Sequence, residues 1–230
     1  MTWMQFPHGL RLDPIAKESP EALVVLLHDV GDSAATLTPI AARWATTVPT
    51  TAFIALDGIE RLDPSAGGLP QHTVASTDPT VLDRAAGHLV PLLEQQLRGC
   101  RLDASRLVLA GFGYGGTLAL HMLLRQGWHC AGVLAFAARL TRPLPRILRV
   151  DRKVRLIECV DDPQVSHGSL RDAVALLAAR GIDTRGVLLV GSVLSEESIR
   201  HGGAYLVELV ATAQQRGDQL SLDREGSHEQ

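Results

Sequence analysis

Apolar residues recur along this chain in two patterns that take turns. Short unbroken apolar runs stand at Ala22–Leu27, Ala52–Leu56, Leu107–Ala110, Ala131–Phe136, Val154–Val160 and Val187–Val190. Such runs are expected of strands buried on both faces of a parallel sheet. Between them the apolar positions adopt helical spacing. Leu37, Ile40, Ala41 and Trp44 share a face over Thr36–Thr47, and Leu82, Ala85, Ala86, Leu89, Leu93 and Leu97 share one over Asp78–Arg98. Further helices are predicted from Tyr114 to Gln126, from Ser169 to Arg180 with Gly181 as its stop, and from Ser195 to Gln215. Asp78-Pro79 has the cap-then-proline form of a helix start, and Pro91 stands inside that helix. Alternation of strand and helix over the whole length predicts an α/β fold, a mostly parallel, doubly wound sheet with helices on both faces.

The remaining segments fix the organisation. His8–Asp13 alternates weakly and is predicted as a short edge strand. Asp57–Thr77 has no sustained period and carries Gly58, Pro64, Gly67, Gly68 and Pro70, which predicts a long functional loop over the active edge of the sheet. Arg139–Arg152 is a basic, proline-containing connection. No repeat or interior linker divides the chain, so residues 1–216 are predicted as a single domain and 217–230 as a polar, disordered tail.

Composition narrows the function classes. Of 230 residues, 46% are hydrophobic and 20% charged, enough apolar material for one sizeable core. The 22 Lys and Arg against 25 Asp and Glu give a net charge of −3 with no basic cluster, which argues against a nucleic-acid or membrane partner. The N-terminal residues lack a basic and apolar leader pattern and no run reaches membrane-spanning length, so a cytoplasmic location is expected. Cys100, Cys130 and Cys159 are odd in number and widely spaced, which fits small buried hydrophobes rather than disulfides, and no metal site is expected.

Ligands of open parallel sheets sit beyond the carboxyl ends of the strands, so the residues after each strand carry the chemistry. The most distinctive is Leu107-Val108-Leu109-Ala110-Gly111-Phe112-Gly113-Tyr114-Gly115-Gly116. A strand, a glycine turn and a helix of this form occur both in the G-x-G-x-x-G phosphate turn and in the G-x-S-x-G nucleophile elbow. Together with Leu26-Leu27-His28-Asp29-Val30-Gly31-Asp32-Ser33 and Asp103-Ala104-Ser105-Arg106, it resembles the phospholipase/carboxylesterase family of α/β-hydrolases, which includes acyl-protein thioesterases and small bacterial carboxylesterases. The resemblance runs from about Ala22 to Val210 and implies an α/β-hydrolase fold of about eight strands. It puts the nucleophile at Gly113, the acid at Asp162 in Asp162-Pro163-Gln164-Val165, the base at Ser192 in Gly191-Ser192-Val193-Leu194-Ser195, and the oxyanion-hole amides at Val30 and Tyr114.

Two of those positions lack the required chemistry. Glycine has no Oγ to attack an acyl carbon, and a serine hydroxyl is no base for the proton. Losing the nucleophile or the base alone costs on the order of 10⁶ in turnover in a serine hydrolase, so Asp162 alone restores nothing. Asp29 also replaces the glycine usual after His28, which brings a carboxylate to the place where negative charge would develop. The expected function is therefore a pseudoenzyme. Its pocket, formed by His28, Asp29, Gly113 and Tyr114, would take a small acyl- or ester-like ligand or a protein partner, without a cofactor and with a homodimer as one possible state. Two alternatives stand beside it. One is an ester or thioester hydrolase with unconventional residues, for which His167 and His201 are the histidines nearest the acid and base positions. The other is NADP-type dinucleotide binding at Gly111–Gly116, with Arg139 to receive a 2′-phosphate.

Overall fold

The computed structural model describes residues 1–16, 19–57, 77–125, 128–142, 144, 152–161 and 169–226, with side chains through residue 215. The elements are β1 Trp3–Phe6, β2 Gly9–Leu12, β3 Ala22–Leu27, α1 Ala34–Ala45, β4 Thr51–Leu56, α2 Pro79–Cys100, β5 Leu107–Phe112, α3 Tyr114–Arg125, β6 Gly132–Phe136, β7 Lys153–Cys159, α4 Ser169–Ala178, β8 Asp183–Leu189 and α5 Glu196–Gly226. They form an eight-stranded sheet in the order β1-β2-β4-β3-β5-β6-β7-β8. β1, β2 and β4 pair antiparallel, and every pair from β4/β3 to β7/β8 is parallel.

Continuous apolar strands are read out as two cores, one on each face. Along β3, Val24 and Leu26 join Leu37, Ile40 and Trp44 of α1 and Leu206, Leu209 and Val210 of α5. The intervening Leu23, Val25 and Leu27 join Leu82, Leu89 and Leu93 of α2 and Leu118, Ala119 and Met122 of α3. All six β3 residues are buried, which matches the unbroken apolar run. Pro79 opens α2 behind Asp78, whose side chain accepts the Thr80 N–H at 2.7 Å. The three cysteines are free and buried. Among the described residues, no helix is long and apolar enough to cross a membrane.

Two local expectations are corrected. β2 is not the sheet edge, because the preceding hairpin strand β1 covers it with the register Trp3↔Leu12 to Phe6↔Gly9. β8 begins at Asp183, before Gly186 rather than after it. Its first residues are half-exposed or exposed at the sheet edge, so they carry no apolar signal, and Gly186 sits under Leu170 and Val174 of α4 where a Cβ would crowd them. The α5 backbone is helical to Gly226. The expected 57–77 loop falls almost wholly outside the described residues, as does most of the basic connection after Arg139.

Candidate active site

β5 delivers the chain to the middle of the carboxyl edge of the sheet, and Gly113 turns it sharply into α3 with φ +52°. Glycine takes this left-handed conformation without a Cβ penalty. The turn is held from three sides. The Gly113 N–H donates to the Phe136 carbonyl at 2.8 Å, and the Gly113 carbonyl accepts both the Thr117 N–H and the Thr117 hydroxyl, each at 3.0 Å. Thr117 Oγ1 in turn accepts the Arg139 N–H at 3.0 Å, tying the segment after β6 to the elbow.

The neighbouring glycines are explained by packing. A Cβ at Gly111 would overlap the backbone of Gly115 and Gly116, and one at Gly115 would overlap the Leu27 carbonyl. Helix α3 therefore lies against β5 and β3 with backbone touching backbone. Gly111 and Gly116 of the G-x-G-x-x-G spelling follow from that close approach, with no phosphate required.

What fills the elbow is Asp29. Its Oδ1 accepts the Val30 N–H at 2.8 Å and the Tyr114 N–H at 2.8 Å. These are the two amides to which the resemblance assigns the oxyanion hole. A Cβ built on Gly113 would fall on the Asp29 carboxylate itself. The carboxylate thus takes both the space of a side chain at 113 and the donors that would meet a developing negative charge. Asp29 is held in turn by its own loop: its carbonyl lies 2.6 Å from His28 Nδ1 and accepts the Asp32 N–H at 3.2 Å.

The serines of the last described turn are engaged locally. Ser192 Oγ accepts the Leu194 N–H at 3.2 Å, and its carbonyl accepts the Ser195 N–H and the Ser198 hydroxyl, so the residue serves its own turn. Ser195 caps α5, its Oγ accepting the Ser198 N–H at 3.2 Å. His201 faces Glu197 and Arg200 on α5, at 4.0 and 3.3 Å, and is engaged on the helix rather than at the elbow. Asp162 and His167 lie outside the described residues.

Two further carboxylates stand at strand ends beside the site. Asp161 Oδ2 accepts the Gly191 N–H at 2.9 Å and joins the turn after β7 to the turn after β8. Asp57 Oδ1 accepts the Ala34 N–H at 2.8 Å and caps α1, for which Ser33 makes no side-chain cap. Both pairings cross between strand ends, so no local motif announces them. A buried imidazole, His121 on α3, lies 2.8 Å from Asp83 of α2 and 3.4 Å from the buried Thr141 hydroxyl. Among the described residues no group of three or more His, Cys, Asp or Glu could hold a metal ion. A cavity of about 450 Å³ lies elsewhere, lined by Arg142, Leu144, Leu176 and Arg180, and takes in none of the elbow residues.

A central parallel sheet with two antiparallel strands at one edge, and a tight strand-to-helix elbow at its middle, define the α/β-hydrolase class. Residues 15–159 match the Phospholipase/Carboxylesterase family, and the chain belongs to it. That match ends before Asp162 and Ser192. Solved structures agree over a longer span. The esterase PE8 superposes with a TM-score of 0.76 at 24% identity, over 88% of this chain and 98% of that one. The Bacillus cereus carboxylesterase gives 0.70 at 14% identity, over 86% and 92%. The carboxylesterase of Mesorhizobium loti gives 0.69 at 16% identity, over 86% and 93%.

Proposed function

We propose that this member of the Phospholipase/Carboxylesterase family does not hydrolyse esters by the serine mechanism and instead serves as a ligand- or partner-binding module. The observation that carries the reading is the Asp29 carboxylate seated on the Val30 and Tyr114 amides, in the space a residue-113 side chain would need. An acyl-transfer transition state needs those donors for its own oxygen, and a fixed carboxylate there repels it. Gly113 supplies no nucleophile, and the hydroxyl of Ser192 is engaged in its turn. The three departures reinforce one another, because each removes a different part of one catalytic unit.

A dinucleotide at Gly111–Gly116 is less well supported. Its phosphates would seek the amide at the start of α3, where the Tyr114 N–H already meets Asp29, and the carboxylate would repel them. NADPH titration monitored by thermal unfolding is expected to leave the melting temperature unchanged.

The deciding experiment treats the purified protein with a fluorophosphonate probe and a short-chain p-nitrophenyl ester. No labelling and no turnover above a buffer control are expected. Stoichiometric labelling of any serine would overturn the reading in favour of a hydrolase with unconventional residues. The combined Gly113→Ser, Ser192→His and Asp29→Gly variant is expected to gain measurable esterase turnover, with Asp162 as its acid.

A further inference from the structure

We infer that the β8 edge of the sheet is an interface for a second copy of this chain, which pairs with it antiparallel about a two-fold axis at Leu188 and joins the two sheets into one. The two ends of the sheet differ. At one end β1 has only four residues, Trp3–Phe6, short enough to make a poor template for a further strand. At the other end β8 runs seven residues, Asp183–Leu189, and among the described residues no strand pairs with its outer side. Its second half continues as Val187-Leu188-Leu189-Val190, with no charge or proline to blunt it. Leu188 is 50% exposed and Val190 73%. A long apolar edge of this kind is a template for strand addition.

The backbone fixes which residues face outward. The Leu189 carbonyl accepts the Val160 N–H at 2.9 Å, so Leu189 turns its polar groups to β7, and Leu188 and Gly186 by alternation turn theirs outward. Two identical edge strands related by a two-fold axis run antiparallel and make every contact twice. With Leu188 on the axis, its N–H and carbonyl bond to those of its own copy, Gly186 stands opposite the partner's Val190, and Arg185 stands opposite the partner's Gly191. On the α4 side the exposed Val190 then meets Gly186, which has no side chain and lies under the half-buried Leu170 and Val174. On the α5 side the pairing matches charge. Arg185 shares a face with Val187, which packs on the same core as Ile157 and Cys159 of β7. Asp161 continues that β7 face beside Gly191, whose N–H its Oδ2 accepts at 2.9 Å. Arg185 of each copy is thereby aimed at the partner's Asp161. The Arg185 side chain is 62% exposed and has only Glu208 at 3.6 Å, a carboxylate already shared with Arg155 and Lys153. The edge thus carries an apolar centre, a cation and a carboxylate at the spacing its own copy matches, which selects a second copy over an unrelated strand. The inference is independent of the reading of the elbow.

The test measures the mass of the purified full chain by sedimentation equilibrium. Twice the chain mass is expected for the unaltered protein, and a shift to the monomer for Leu188→Lys, which sets two charges against each other on the axis. Charge exchange tests the register. Arg185→Asp alone opposes like carboxylates in both contacts, and Asp161→Arg alone opposes like guanidiniums, so each variant is expected to lose the dimer by itself. Mixed in equal amounts, the two are expected to recover it, because opposite charges then meet in both contacts. No folding defect in either chain imitates that recovery, so the mixture decides should Leu188→Lys fail to fold. A monomeric unaltered protein at every concentration measured would overturn the proposal, as would open-ended assembly or a dimer untouched by Leu188→Lys. Single charge variants that stay dimeric, or a mixture that stays monomeric, would overturn it equally.

Discussion

At position 113 the backbone and the neighbouring carboxylate make the same demand. A side chain there must adopt φ +52°, which costs about 1 kcal/mol or more for an L-residue, and must also expel Asp29 from the space it occupies. Gly113→Ala is accordingly expected to destabilise the protein by about 2–3 kcal/mol in urea unfolding, beyond the conformational cost alone. In the Asp29→Gly background the same substitution is expected to cost about 1 kcal/mol less. Additive effects in the double-mutant cycle would show that the two positions do not compete for space. A serine placed at 113 alone is for this reason expected to yield a less stable protein without measurable esterase turnover.

Helix α3 illustrates how an element's sequence is dictated by what it touches. Gly115 faces the Leu27 and His28 carbonyls, and backbone cannot give way as a flexible side chain can. Gly115→Ala is expected to cost about 3 kcal/mol, read as a lower urea midpoint. Gly87 makes the opposite case. It lies on the exposed side of α2 with nothing near a Cβ, so Gly87→Ala is expected to stabilise by about 0.5–1 kcal/mol through helix propensity alone. A destabilised Gly87→Ala would show that α2 is more constrained than its exposure indicates. On the other face, α5 approaches the sheet through Gly202 and Gly203, which lie against the stacked rings of Trp44, Phe136 and Phe112. Trp44 Nε1 donates to the Ile199 carbonyl at 2.9 Å, so the aromatic stack beneath the elbow also fixes the rotation of α5.

Across the whole molecule, one buried charge cluster ties the β7–β8 edge of the sheet to α5. The Arg155 guanidinium, fully buried, donates to Glu208 at 2.6 and 3.1 Å and to the Asp183 carboxylate at 3.0 and 3.3 Å. Burial opposes its charge, but the bonds to Glu208 and Asp183 outweigh that and raise its pKa further. The hydrogen bond from Arg155 holds Glu208 down to about 2 from the ordinary 4.5, against a smaller opposing effect of burial and with help from Lys153 and Arg185. A carboxylate whose pKa is lowered on folding stabilises above its unfolded value and loses that stabilisation as pH falls through the folded one. With Glu208 still partly wetted, its contribution is on the order of 2 kcal/mol at neutral pH, lost between about pH 4.5 and 2. Glu208→Gln is expected to flatten the stability profile in that window and to cost about 2–3 kcal/mol at pH 7, since Arg155 stays buried with Asp183 as its remaining carboxylate. An unchanged acid slope would remove Glu208 from this role.

The sequence by itself determined the parts whose signal is local. The buried runs from β3 to β7, the α2 start at Asp78-Pro79, the alternation that implies a parallel sheet, and the glycine elbow are each written in neighbouring residues. The family was legible from the His28 turn and the elbow. Tertiary structure decided what depends on partners distant in sequence. The hairpin strand β1 and the first half of β8 are polar or half-exposed, so only pairing reveals them. The pairing of Asp161 with Gly191 and the burial of Arg155 in a strand that otherwise reads as apolar follow from contacts between elements. Asp29 shows the difference most clearly. Its presence after His28 marked a carboxylate near the place where negative charge would develop. Only the fold, bringing Val30 and the start of α3 together some 85 residues apart in sequence, made that carboxylate the occupant of the site.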